Sequence, residues 1–175
     1  QVMDLRQDRL QRVADRVRER LEEMPSLSDV KGNIKVEMTA EGLRIQLIED
    51  ASGVFFETGR AAPSPRGREI LAMVGAELGR VSNPVRIEGY TDARPYPFSS
   101  TYTNWELSAD RANMARRILT EHGLAPRQVA QIRGLADREL AVPAEPYSPR
   151  NRRITITMPL APPSPPDSVV RLRRA

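Results

Sequence analysis

An aspartate and an arginine carry the chemistry this sequence offers most directly. Asp92 closes the stretch Val85-Arg-Ile-Glu-Gly-Tyr-Thr-Asp92, and Arg111 follows 19 residues later in Asn104-Trp-Glu-Leu-Ser-Ala-Asp-Arg111-Ala112. From Asn104 to His122 the apolar residues recur with helical period, so each side chain can be placed on a wheel at about 100° per residue. Leu107, Met114, Ala115 and Ile118 share one arc, continued by Leu119 and Ala112. Asp110, Asn113, Arg116, Arg117 and Glu121 fall outside it. Arg111 lies in the middle of the apolar arc. A guanidinium keeps its proton in proteins, so an arginine on an inward face needs an anionic partner. Two readings are open. Asp92, at the end of a strand-like run, is that partner in a structural ion pair, or both groups face a ligand that carries charges of both signs.

Most other chemistry is excluded by composition. The chain has no cysteine and a single histidine, His122, which rules out a cysteine nucleophile and zinc sites of the cysteine/histidine type. His122 stands just before Gly123, where a last-turn residue is favoured by the helix dipole. No glycine-rich phosphate loop occurs. Glu88 and Asp92 are available as an acid/base couple, but no second chemical element orients them. The expectation is a binding protein with no catalytic residues, metal or cofactor. A net charge of +4 and a pI of about 9.9 raise the question of nucleic acid. The arginines of the first 23 residues are interleaved with acids, and no basic block carries aromatic stackers, so nucleic acid is not expected as a partner. No apolar run reaches the roughly 18 residues that span a bilayer. A chain that begins at Gln1 reads as a processed form or a fragment, with any membrane anchor upstream of it.

The elements that must position Asp92 and Arg111 follow from periodicity. Residues 2–24 predict a helix ending at Pro25, with Met3, Leu10, Val17 and Met24 repeating at seven and Val13, Ala14 and Leu21 widening the seam. Arg6 and Arg20 occupy other seam positions, so the helix either pairs with a second copy or docks on its own domain. Asn33 to Thr39 and Leu43 to Ile48 alternate on either side of Gly42, a hairpin signature, and Val54-Phe-Phe56 is a short extended piece. Ser64-Pro65 opens a second helix with Ile70, Leu71, Val74 and Leu78 inward. Val85 to Gly89 predicts a strand, Thr103-Asn-Trp-Glu106 a capping box for the key helix, and Val129 to Arg133 another strand. Tyr90, Tyr96, Phe98, Tyr102 and Trp105 crowd the loop between the charged pair, either framing a polar ligand or packing the loop on itself. In the strand predicted from Asn151 to Met158, Arg152 shares parity with Ile154, Ile156 and Met158 and points inward, while Arg153 points away. Beyond Pro159 the proline-rich segment 161–175 is expected to be disordered.

Three motifs in order, Gly89-Tyr-Thr-Asp92, Asn104-x-x-Leu107-Ser108-x-x-Arg111-Ala112 and Asn151-Arg152-Arg153, resemble the OmpA-like peptidoglycan-binding domain over roughly residues 33–158. Asn104-Trp-Glu-Leu-Ser, the long aromatic loop before it and the run from Val36 to Leu47 are similar to the flagellar motor stator (MotB) branch of that family. The resemblance implies an α/β fold, a βαβ-rich two-layer sandwich with a mixed sheet, over residues 31–160, with an N-terminal amphipathic helix and linker in 1–30. It implies a periplasmic, homodimeric domain of an inner-membrane protein. That protein would act with a partner stator membrane subunit and anchor the motor to peptidoglycan. The site the resemblance carries over is Asp92, Asn104, Leu107, Arg111, Asn151 and Arg152. The ligand would be the diaminopimelate of a wall stem peptide, whose side-chain end bears an ammonium and a carboxylate. Asp92 would accept from the ammonium and Arg111 would hold the carboxylate. A peptidoglycan-associated lipoprotein or an outer-membrane protein is the neighbouring reading, and a wall-glycan-cleaving enzyme the reading from another class. The loop from Asp92 to Asn104 is longer than in a typical member, which bears on access to the site.

Overall fold

Alternation along the strands and a single apolar stripe on each helix leave one way to bury both: helices laid over one face of a sheet. The computed structural model describes residues 2–96 and 101–160. Phe98, the side chain of Met3 and the tail 161–175 lie outside the described residues. Strands β1 (Ile34–Met38) and β2 (Gly42–Ile48) form the expected antiparallel hairpin, with Ile34 opposite Leu47 and Met38 opposite Leu43. Strands β3 (Val85–Tyr90) and β4 (Val129–Gly134) are parallel, and β5 (Arg153–Pro159) runs antiparallel between β2 and β3. The sheet order is β1-β2-β5-β3-β4. Helix α2 (Pro65–Leu78) is capped by the Ser64 hydroxyl, which accepts the Gly67 N–H at 3.0 Å. Helix α3 (Asn104–Glu121) begins with the capping box of Thr103 and Glu106. The chain is thus a two-layer α/β sandwich on a mixed sheet.

Leu43, Ile45, Leu47, Ile87, Ile154, Ile156 and Met158 form the covered face, and their neighbours Arg44, Gln46, Glu88, Thr155 and Thr157 form the other. Helix α1 (Val2–Glu22) resolves the choice left by its narrow seam. Leu10, Val13, Ala14 and Val17 are completely buried and belong to the same core as Ile34, Leu43 and Ile45. The helix is therefore docked on its own domain, and the core does not stop at residue 31. Leu10→Ala should cost about 2–5 kcal/mol of unfolding free energy, as a buried leucine truncation does. Urea titration checks this; a loss below half a kcal/mol would mean the helix is only loosely attached. No helix among the described residues is long and apolar enough to cross a membrane.

Two features bring the N-terminal half of α3 to the end of β3. Gly89 lacks the Cβ that would run into the Ser108 carbonyl, so helix and strand approach at backbone distance. The buried Ser108 hydroxyl donates to the Trp105 carbonyl at 3.0 Å and accepts the Ala136 N–H at 3.1 Å. The Ala136 carbonyl in turn accepts the Thr91 N–H at 2.8 Å. Leu107 and Arg111, flanking Ser108 on the same helix, are thereby set beside Asp92. At β5 the observed start is two residues later than expected, because Pro149–Asn151 turn into a 3₁₀ segment capped by Ser148.

Candidate functional site

A cavity of about 480 Å³ opens where the C-terminal ends of β2 and β3 meet the start of α3. Asp92, Asn104, Leu107, Arg111 and Arg152 all line it. Their sources are a strand end, a helix and the turn before β5, so the tertiary fold assembles what the sequence separates. Asp92 is buried; its Oδ1 accepts the Arg94 N–H at 2.9 Å and its Oδ2 lies 3.6 Å from Arg152 Nε. Arg152 donates from Nη2 to the Asp50 carbonyl at 3.0 Å, but its buried Nε has no hydrogen-bond partner. Asn104 donates to the Arg94 carbonyl at 2.7 Å, which fixes the loop as it leaves Asp92. Leu107 supplies an apolar wall and is 5% exposed.

The structural Asp92–Arg111 ion pair is not formed. Arg111 donates from Nε to the Arg60 carbonyl at 2.7 Å and from Nη2 to the Glu57 carbonyl at 3.1 Å. Its guanidinium carbon lies 5.5 Å from the centre of the Phe56 ring. Neutral carbonyls and a ring face therefore hold this buried cation, and among the described residues it has no salt bridge. Burial pulls its pKa down, the Glu49 carboxylate pushes it back up, and the guanidinium stays charged throughout. The outer edge of the fork, Nη1 and the second N–H of Nη2, has no acceptor among the described residues. That edge can receive a carboxylate through two parallel N–H bonds.

Asn151 is the one expected site residue that does not line the cavity. It is fully buried, its Oδ1 accepts the Val142 N–H at 2.8 Å, and its Nδ2 donates to the Glu145 carbonyl at 2.9 Å. Its amide is consumed in holding the loop that carries Tyr147, itself a lining residue. Arg152 and Arg153 separate as parity predicted: Arg153 stacks on the Tyr90 ring at 3.8 Å, away from Asp92. Of the described members of the aromatic cluster, Tyr96 alone lines the cavity; it meets Tyr102 edge to face at 5.0 Å, and Trp105 lies outward under Arg138.

Sequence reasoning missed Glu49, Arg94 and Tyr147. Arg94 lies 5.8 Å from the Tyr147 ring and closes one side of the cavity. Glu49 shares parity with Leu43, Ile45 and Leu47, a signal that marks it as an inward acid. It is 4% exposed and accepts the N–H groups of Phe55 and Phe56 at 3.1 and 2.9 Å. Burial raises its pKa from 4.5, against the pull of those two N–H groups and of Arg111 and Arg152. A raised folded pKa means that the native state holds the proton more tightly than the unfolded chain. The contribution of Glu49 to stability is then most favourable below 4.5 and declines as pH rises towards the folded value. Glu49→Gln should flatten that decline in denaturant titrations run upward from pH 4.5; an unchanged profile would remove Glu49 as its source.

Comparison with known proteins follows the same lines. The sequence pattern of the OmpA family matches residues 55–153, a span that holds all six expected site residues. Motility protein B of Escherichia coli (strain K12) is 35% identical over 153 residues, which cover 87% of this chain and 50% of that protein. The chain thus spans about half the length of the curated relatives it matches. A MotB-like protein of Desulfovibrio vulgaris superposes with a TM-score of 0.72 at 20% identity, over 89% of this chain and 97% of that one. The periplasmic domain of Helicobacter pylori MotB superposes with a TM-score of 0.60 at 20% identity, over 70% and 85%. At such identities the structural likeness speaks for the fold. With more than half its length matched and Asp92, Arg111 and Arg152 inside the match, this chain belongs to the OmpA family.

Proposed function

We propose that this domain is a non-catalytic peptidoglycan-binding module that anchors a flagellar motor stator to the cell wall. The observation that carries the reading is the unsaturated charge in the cavity. Asp92, Arg111 and Arg152 face one space, yet Arg152 Nε has no hydrogen-bond partner and the outer edge of Arg111 is open. Buried polar groups left unpaired are costly, so such a constellation suits a ligand that completes it. Diaminopimelate in a stem peptide does so: Asp92 accepts from its ammonium, while Arg111, assisted by Arg152, holds its carboxylate. Leu107 and Tyr96 flank the aliphatic chain between them.

The likeness to motility protein B supports placing this binding step in a stator. In the full-length protein the domain would stand in the periplasm, tethered to the inner membrane by a segment outside this chain. There it would work as a homodimer with the partner stator membrane subunit. Co-sedimentation with purified sacculi tests the reading: wild type pellets with the sacculi and releases no soluble muropeptides. Release of muropeptides would instead identify a wall-cleaving enzyme, and failure to pellet would remove the anchor. Raising salt above the physiological range should lower retention only a few-fold, since a partly buried charge contact is screened less than a surface one. Complete loss near physiological salt would mean unspecific attraction to an anionic wall.

A further inference from the structure

The pole of the domain opposite the ligand cavity is built of arginine. Helix α3 runs from Asn104, at the cavity, for about 27 Å at 1.5 Å per residue to the turn that carries Arg127. There two adjoining recesses of about 440 and 390 Å³ share Arg9, Arg80 and Val81. Among the described residues their walls include Arg9, Arg12, Arg16, Arg80 and Arg127 and no carboxylate. The buried Glu77 takes up part of the charge, pairing with Arg16 at 3.2 Å, Arg20 at 3.1 Å and Arg80 at 3.6 Å. Arg9, Arg12 and Arg127 make no ion pair and no side-chain hydrogen bond with any described residue. At about 100° per residue, Leu5, Arg9, Arg12 and Arg16 fall within one arc of about 60° on α1, while Asp4, Asp8, Asp15 and Glu19 fall on a separate arc. Residues 4–9 are all exposed, Leu5 at 67%, so the first turns of α1 stand beyond the body of the domain.

We propose that this arginine groove docks on the phosphate headgroups of an anionic phospholipid bilayer. Guanidinium groups bind phosphate oxygens through paired N–H bonds, and the unpaired Arg9, Arg12 and Arg127, spread over two elements, suit a field of phosphates better than a single ion. Leu5, in line with Arg9 and Arg12, offers an apolar contact at the headgroup boundary. The inference rests on the wall-binding reading for orientation only: a domain whose cavity faces the wall turns the opposite pole towards the membrane. Docking would then hold the domain against the bilayer, and release would let it reach the wall.

The test is flotation at low salt with vesicles of equal parts phosphatidylcholine and phosphatidylglycerol, against vesicles of phosphatidylcholine alone. Wild type should float with the anionic vesicles only. The variant Arg9→Gln/Arg12→Gln/Arg127→Gln should lose roughly tenfold or more in vesicle affinity, with melting and sacculus retention unchanged. Lys35→Gln/Arg68→Gln/Arg117→Gln removes equal charge elsewhere and should retain most of the binding. The proposal is overturned if wild type ignores anionic vesicles, if the groove variant binds as wild type does, or if both triple variants lose equally. It is also overturned if inorganic phosphate occupies the groove while vesicles do not bind. Asp92→Asn, which probes the wall site, should float like wild type, so that failure of either reading shows separately.

Discussion

Asp92→Asn should weaken retention on sacculi by about 2–5 kcal/mol, roughly thirtyfold or more, with little change in melting temperature. Asparagine keeps an oxygen that can accept the Arg94 N–H, the bond that holds the loop at 2.9 Å. What disappears is the only negative charge among the described residues that line the cavity. The ligand ammonium then meets no counter-charge, and Arg111 and Arg152 repel it. The existing contact to Arg152 is 3.6 Å and not a full hydrogen bond, and the asparagine oxygen can still face Arg152 Nε, so the substitution costs the fold little. Sacculus co-sedimentation and thermal unfolding of the same preparation check both halves. A folded variant that binds like wild type would place the wall site elsewhere.

Arg111→Leu should have the largest effect because it acts twice. Binding loses the carboxylate fork, again about 2–5 kcal/mol. Stability falls as well: the Glu57 and Arg60 carbonyls lose their donor, at about 1–3 kcal/mol for each left buried and unpaired. Arg111→Lys separates the two contributions. Lysine retains the charge over Phe56 and can reach one carbonyl, but cannot present two parallel N–H groups to a carboxylate. We expect a folded protein with retention lowered roughly tenfold. Wild-type retention by Arg111→Lys would mean that charge alone, without the fork, recognises the ligand.

The hairpin was legible because Gly42 sits between two alternating runs, and α3 because its cap, period and stop at Gly123 agree. Arg111 was legible as an inward cation. Its partners were not, since Glu57 and Arg60 offer backbone carbonyls from an irregular loop more than 50 residues upstream. Parity separated Arg152 from Arg153, and the structure carries Arg152 to Asp92 and Arg153 to Tyr90. Asn151 shows the limit of transferring a motif: its amide meets the backbone of Val142, Glu145 and Pro146, a path set only by the folded loop. The seam of α1 was ambiguous by itself; the apolar residues Leu43, Ile45 and Leu47 of β2 decided it by providing a surface to cover. Charge interleaving over the first 23 residues suggested a mixed surface, yet winding into a helix gathers Arg9, Arg12 and Arg16 into one stripe.

Recognition of a zwitterion by the Asp92, Arg111 and Arg152 cavity is tested most directly by calorimetric titration with two stem peptides. One ends in meso-diaminopimelate; the other is identical but ends in lysine, which keeps the ammonium and lacks the side-chain carboxylate. The diaminopimelate peptide should bind wild type, the lysine peptide at least about tenfold more weakly, and Asp92→Asn should bind neither appreciably. Equal affinity of wild type for the two peptides would contradict the assignment of the arginine fork to the ligand carboxylate. Unchanged binding of the diaminopimelate peptide by Asp92→Asn would contradict the cavity itself.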